Sequence, residues 1–417
     1  MQLSERQTTE ELLPGYRITE RLYDSDRSSV YRCQRTSDAQ SVIVKLQKCE
    51  YPALRELVLF RNQYTISKDL NLSGVIKPYS LENYHNGLAL IMEDFGGISL
   101  RQYASARSLT IREFLEIAIQ IAQILEDLYQ SRIIHKDIKP SNLLINPTTQ
   151  QIKITDFGIA SLLPKEGQTF NSLMALEGTL DYISPEQTGR MNRGIDYRTD
   201  YYSLGVTFYE ILAGQLPFPN ADPLEMVHCH LAKKPTALNE LNPNIPPVIS
   251  EIVMKLMAKV SENRYQSALG LKFDLETCLQ QLNTQSSIST FIIGQRDVSD
   301  RFQIPERLYG REIEVTKLLE AFDRVSEGNT ELMLVSGFSG IGKTALVNEV
   351  HKPIVRQKGY FIGGKFDQFK RNIPFSALVQ AFRELTQLLL TENAIQVEQW
   401  RLRLLDVLAD EAQVILE

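Results

Sequence analysis

His135-Lys136-Asp137-Ile138-Lys139-Pro140-Ser141-Asn142 decides how this 417-residue chain is read. Nineteen residues after Asp137 stands Asp156-Phe157-Gly158, and Ser184-Pro185-Glu186 follows. Upstream, Val42-Ile43-Val44-Lys45 reads as an apolar strand ending in lysine. Each fragment alone is commonplace, and a strand ending in a solvated lysine needs no special account. Their order and spacing together are not commonplace. Around them, Tyr16–Leu22, Val30–Gln34 and Ser41–Leu46 carry the β-branched and aromatic residues of short strands. A helical stretch is expected over 53–70, with strands over Val75–Glu82 and Leu88–Glu93. Beyond Gly96-Gly97 the period changes. Phe114, Ile117, Ala118, Ile121, Leu125 and Leu128 recur at three- and four-residue steps, one buried helix face. Further helices fit Tyr201–Leu212 and Pro247–Lys259. A small β-rich lobe thus precedes a larger helical one.

The constellation resembles the catalytic loop H-R-D-x-K-P-x-N, the D-F-G and A-P-E segments and the V-A-I-K strand of eukaryotic-type protein kinases. The resemblance implies an α+β bilobal kinase fold with ATP and Mg²⁺ as cofactors. Phosphoryl transfer through a loose transition state needs positioning and charge neutralisation. By resemblance, Asp137 accepts the proton of the attacking hydroxyl and Lys139 offsets charge on the transferring group. Lys45 grips the α- and β-phosphates, and Asn142 and Asp156 hold Mg²⁺ with the hard oxygen ligands it prefers. Val30 and Leu144 would sandwich the adenine, with Met92 as gatekeeper before the hinge at Glu93 to Phe95. His135 is expected to pack. Asp200 would buttress the catalytic loop, and Glu186 would pair with Arg264. Gly178-Thr179 with Tyr182 resembles a protein-substrate docking segment, which disfavours a small-molecule kinase. Lys139 and Thr179 resemble the serine/threonine branch.

Four positions depart from the pattern. The phosphate-covering loop has Tyr23, Ser25 and Ser28 where glycines are expected, so left-handed backbone there would be strained. Asp24 and Asp26 would repel the nucleotide. Ile43 stands where a small residue usually faces adenine. Gln63 stands where the helix usually offers Lys45 a glutamate, with Glu56 a poorer substitute. Lys136 replaces an arginine and lacks its bidentate fork, so phosphorylation at Thr169 or Ser172 is expected to matter less.

Gly337-Phe338-Ser339-Gly340-Ile341-Gly342-Lys343-Thr344 matches the P-loop pattern G-x-x-x-x-G-K-[ST]. A strand is expected at Glu331–Ser336 before it and a helix from Lys343 after it, with another helix over 311–326. Gly337, Gly340 and Gly342 would let backbone N–H groups approach phosphate. Lys343 would reach the β- and γ-phosphates and Thr344 would bind Mg²⁺. Gly310-Arg311-Glu312 resembles the entry of AAA-like and STAND-type ATPases. No convincing Walker B strand follows. Val414–Glu417 is too short an apolar run, so a partial α/β P-loop domain cut in mid-domain is expected. The organisation is then a tail over 1–14, a kinase domain over 15–280, a Ser/Thr/Gln-rich linker over 281–307 and a P-loop domain over 308–417. It resembles the front of large bacterial, particularly cyanobacterial, hybrid signalling kinases.

A net charge of −6 argues against nucleic acid or an anionic membrane surface as main partner. No apolar run reaches the roughly 18 residues of a bilayer span. Cys33, Cys49, Cys229 and Cys278 lack CxxC spacing and suit a cytosolic protein. His228-Cys229-His230 reads as a surface histidine pair on a helix, not a metal site. The expected partners are protein substrates, the chain itself by autophosphorylation, and downstream signalling domains. Two functions stay open: a serine/threonine kinase coupled to a nucleotide-binding module, or a nucleotide-binding pseudokinase scaffold that regulates a downstream ATPase or histidine kinase.

Overall fold

The computed structural model describes residues 11–49, 51–163, 178–188, 194–219, 222–298, 310–338, 340–348, 360–366, 375–390 and 394–408. Thr169, Ser172 and Val414–Glu417 lie outside them. The chain divides into two compact units, one of Met1–Gly189, Arg193–Asn220 and Lys234–Pro305, the other of Arg190–Asn192, Ala221–Lys233 and Glu306–Glu417.

The first unit opens with strands β1 (Glu11–Leu13), β2 (Tyr16–Asp24), β3 (Ser28–Arg35) and β4 (Ser41–Gln47). Helix α1 (Leu54–Ser67) and strands β5 (Pro78–Tyr84) and β6 (Gly87–Glu93) follow. The six strands form one antiparallel sheet in the order β1-β2-β3-β4-β6-β5. Period-two alternation gives the sheet two apolar faces. Val42, Val44, Leu46, Ala89 and Ile91 pack with Leu13, Tyr16 and Cys33 on one. Leu88, Leu90 and Met92 pack with Phe60 of α1 on the other, and Ile43 joins them. The strand expected from Val75 begins at Pro78 instead. Val75 makes a parallel bridge to Ile154, and Ile76 N–H donates to Ile154 O at 3.0 Å.

The helical lobe contains β7 (Ile98–Ser99), α2 (Leu100–Ala106), α3 (Ile111–Gln130), β8 (Ile133–Ile134), β9 (Leu143–Ile145), β10 (Ile152–Ile154) and β11 (Ser161–Leu162). Thr110 and Glu113 cap α3 reciprocally, and all six apolar residues expected on its buried face are buried. Next comes α4 (Arg198–Ala213), closed by left-handed Gly214. A Cβ on Gly205 of α4 would lie 2.8 Å from side-chain atoms of Leu256 and Met257, so glycine is what lets α4 approach α7 (Pro247–Leu256). Short α6 (Leu238–Leu241) and long α8 (Ala268–Gln285) complete the lobe. The segment read as linker from 281 differs from that reading over its first part. It holds the last turn of α8 and a stretch bound back on the lobe. Gln266 N and Ser267 N donate to Asp297 Oδ1 at 2.8 and 2.9 Å, Lys255 Nζ stands 3.4 Å from Asp297 Oδ2, and Gly294 N donates to Asp274 Oδ2 at 2.7 Å.

In the second unit, α5 (Pro223–Ala232) carries His228, Cys229 and His230. The surface pair is corrected here: His230 and Cys229 are buried and only His228 is partly open. Two residues turn a helix by about 200°, so the histidines face opposite ways. Helices α9 (Glu312–Ser326), α10 (Lys343–Asn348), α11 (Ser376–Leu389) and α12 (Ala394–Leu408) follow. The strand expected at Glu331–Ser336 does not form. Leu332 and Leu334 are 87% and 88% exposed, and no strand pairs with them among the described residues. An apolar run becomes a strand only by pairing, because a lone one leaves its backbone groups to water.

Candidate active site

Cross-strand register brings together the residues expected to face nucleotide in the small lobe. Val30 of β3 stands opposite Lys45 of β4, and Ile43 stands opposite Met92 of β6. Opposed residues project to the same side, so Val30, Ile43, Lys45 and Met92 share one face. Leu144 of β9 and Phe95 pack on the same cluster as Ile43 and Met92, which makes an apolar slot. Glu93 is placed differently from its neighbours. Its carboxylate takes Lys153 Nζ at 2.7 and 2.9 Å and Lys77 N at 2.8 Å, so its contribution to the slot is backbone.

Lys45 Nζ donates to Asp156 Oδ1 and to Gln63 Oε1, both at 3.1 Å. Gln63, not Glu56, therefore holds the position on α1 that faces Lys45. Glu56 stands 3.9 Å from Arg27. Gln63 is buried, and its amide nitrogen lies 3.8 Å from Met92 Sδ, a contact a carboxylate could not donate. Burial pushes the Asp156 carboxyl up, but the charge and hydrogen bond of Lys45 outweigh it and hold the group below its ordinary value. Asp156 is left-handed at φ 68°, a conformation that costs about 1–3 kcal/mol and persists where surroundings impose it. Phe157 is buried with its ring 4.8 Å from that of His135. His135 packs and bonds as a core residue, with Nε2 3.0 Å from Thr155 O.

The catalytic loop is held from a distance. Asp200 of α4 accepts His135 N at 2.8 Å and Lys136 N at 2.7 Å, and burial pushes its carboxyl up despite these bonds. Lys136 is left-handed at φ 67°. Asp137 Oδ2 receives Lys139 Nζ at 2.6 Å and Asn142 Nδ2 at 3.0 Å, while Oδ1 receives the Thr179 hydroxyl at 3.0 Å. Lys139 Nζ also reaches Thr179 Oγ1 at 2.5 Å. Deeper in the lobe, Glu186 and Arg264 form a buried two-pronged pair at 2.7 and 2.8 Å. Burial pushes Glu186 up, and Arg264 overrides it to hold the carboxyl below its ordinary value.

The glycine-free loop closes without strain. Ser25 N donates to Ser28 O at 3.0 Å, and Ser25 Oγ accepts from Ser28 N at 3.1 Å. No residue from Tyr23 to Ser29 has a positive φ. Asp24 takes Lys48 at 2.7 Å and Ser29 Oγ at 2.6 Å, and the Lys48 bond leads in holding its carboxyl below the ordinary value. Its charge is therefore answered by Lys48, just past the end of β4, and by Ser29. Sequence reasoning missed Asn62, whose side chain reaches the segment after Asp156. Its place beside Gln63 on α1 was the available signal.

In the second unit Lys343 Nζ donates to Gly337 O and Phe338 O, both at 2.8 Å. Gly340 and Gly342 are left-handed at φ 82° and 93°, a backbone conformation that glycine adopts without steric cost. Thr344 is exposed in the first turn of α10.

The protein kinase domain family matches residues 16–276. The chain belongs to the protein kinase family. An AAA ATPase domain matches residues 307–416. The hybrid signal transduction histidine kinase G of Dictyostelium discoideum is 34% identical over 74% of this chain and 11% of its own length. A probable serine/threonine-protein kinase of Streptomyces coelicolor is 32% identical over 60% of this chain and 38% of its own. The serine/threonine-protein kinase PknB of Mycolicibacterium smegmatis is 30% identical over 64% and 43%. The chain thus spans about a tenth of the first relative and about two fifths of the other two.

Proposed function

We propose that residues 15–280 transfer the γ-phosphoryl group of Mg-ATP to serine and threonine hydroxyls of proteins, this chain included. The observation that carries the reading is the Asp137 carboxylate with Lys139, Asn142 and Thr179 around it. The Thr179 hydroxyl already donates to Asp137 Oδ1, as a substrate hydroxyl would. Asp137 takes the proton of the attacking oxygen, the new P–O bond forms to that oxygen, and the old one to ADP breaks. Lys139, beside Asp137, offsets charge on the group in flight. Lys45 leaves Asp156 for the α- and β-phosphates, and Val30, Met92, Leu144 and the backbone of Glu93 hold the base. Asp156 and Asn142 suit Mg²⁺: one is held ionised, and the other's amide nitrogen is committed to Asp137, which leaves Oδ1 for a metal. The ion, when bound, neutralises phosphate charge.

Residues 308–417 bind nucleotide in this reading through Gly337, Gly340, Gly342 and Lys343, with Thr344 on Mg²⁺. They couple the kinase to downstream signalling domains in the cytoplasm. Gln63 favours a second reading, since a neutral amide does not neutralise Lys45: the fold binds nucleotide and acts as a scaffold. Transfer of labelled γ-phosphate to the chain and to a generic basic protein separates the two. Label in the wild type that vanishes in a folded Asp137→Asn variant supports the kinase. Mg²⁺-dependent nucleotide binding with no label under Mg²⁺ or Mn²⁺ supports the scaffold.

A further inference from the structure

Asn62 has no part in the chemistry above, yet its side-chain nitrogen meets three backbone carbonyls. It lies 2.8 Å from Gly158 O, 2.9 Å from Ala160 O and 3.4 Å from Phe157 O. A primary amide has two N–H groups, so the two short bonds use both. All three carbonyls belong to the turn that follows Asp156. Leu59, one turn earlier on α1, rests on the same place: its carbonyl oxygen and Cβ lie 3.6 and 3.7 Å from where a Cβ on Gly158 would stand. Within the turn, Ala160 N donates to Phe157 O at 3.2 Å, and beyond it Ser161 and Leu162 pair with Ile134 and Ile133. The left-handed Asp156 is thus followed by a turn fixed at both ends, and α1 supplies one of the fixings.

We propose that Asn62 is a positioning residue that fastens α1 to the loop carrying Asp156, and so ties the place of α1 to divalent-metal binding. Its neighbour Gln63 holds Lys45, so adjacent amides on one helix fix Lys45 and the turn that follows Asp156. A shift of α1 releases them together. Neither contact carries a formal charge on the helix side. The metal role of Asp156 rests on the function proposed above, but the test through nucleotide binding does not need phosphoryl transfer.

The test compares the full chain with Asn62→Ala and Asn62→Asp, the second having the same shape but only acceptors to turn toward the carbonyls. Binding of a fluorescent ADP analogue is titrated with Mg²⁺, and labelled phosphate transfer is measured alongside. The Mg²⁺ midpoint is expected to rise about tenfold in both variants, as when a partner behind a metal ligand is lost. Nucleotide binding without Mg²⁺ stays unchanged, and kcat falls more than KM rises. Faster amide exchange over residues 157–162 in the nucleotide-free variants is the second readout, which serves if one variant melts early. Midpoints and exchange equal to wild type in the folded variants overturn the proposal. A wild type that binds Mg-nucleotide but transfers no label overturns the kinase reading instead, and the midpoint comparison still stands.

Discussion

The catalytic loop and the P-loop are motifs of similar length, held in opposite ways. In the kinase site, the bonds to Asp137 from nearby Lys139 and Asn142 are joined by contacts with residues far away in the chain. Asp200 bonds the backbone of His135 and Lys136, Thr179 bonds Asp137, and Asp156 bonds Lys45. In the P-loop, Lys343 turns to the carbonyls of Gly337 and Phe338, five and six residues before it. The first arrangement exists only when the whole lobe is folded. The second is a local turn. A motif held from a distance therefore reports on the fold around it, and a motif held by itself reports mainly on its own backbone.

That contrast can be broken most forcefully at Asp137. Asp137→Asn leaves the shape of the loop and removes its base, so label transfer should fall about a thousandfold or more with melting unchanged. Next comes the distant support. Arg264→Leu strands the buried Glu186 carboxylate and should cost about 3–5 kcal/mol in urea unfolding. Retained stability would mean the lobe does not depend on that pair. The same carboxylate sets an acid limit. Its value is held below the ordinary 4.5, so its contribution is full above that value and is lost as pH falls through the lower folded one. Unfolding followed against pH should show this loss in wild type and not in a double Glu186→Leu, Arg264→Leu variant.

Smaller effects sharpen the comparison. Gln63→Leu takes away the partner of Lys45 on α1 and should lower kcat/KM for ATP about tenfold, while Gln63→Glu should stay within about threefold. Asp297→Ala leaves two backbone N–H groups unanswered and should destabilise the first unit by about 1–3 kcal/mol, read from its melting transition. At the bottom of the scale, Lys343→Ala should change stability by less than about 0.5 kcal/mol, because its partners are its own loop.

Much of the kinase unit was legible because its signals are local or ordered. Strand alternation, the α3 stripe and the chain of short motifs needed no knowledge of partners. Gln63 and the Glu186–Arg264 pair were also legible, since the family pattern names which positions meet. What escaped was decided by pairing or by side-chain reach. The run Glu331–Ser336 has the composition of a strand, but composition does not supply a neighbour. Polar residues 286–298 resemble a linker, and nothing in their pattern shows that Asp297 would bind the start of α8. Asn62 looks like an exposed helix amide until α1 is set against the turn after Asp156. His230 was misjudged because two histidines two residues apart were read together as a surface pair, although that spacing puts them on opposite sides of a helix.

The serine hairpin over the nucleotide slot has a consequence in time. A glycine-rich flap swings on its backbone and can open alone. Here the tip is tied by Ser25 to Ser28, by Ser29 to Asp24 and by Asp24 to Lys48. A cover stitched by side chains lifts only with the strands that bear it. On the proposed function, departure of spent nucleotide is then expected to follow the motion of those strands, which the off-rate of a fluorescent ADP analogue would read.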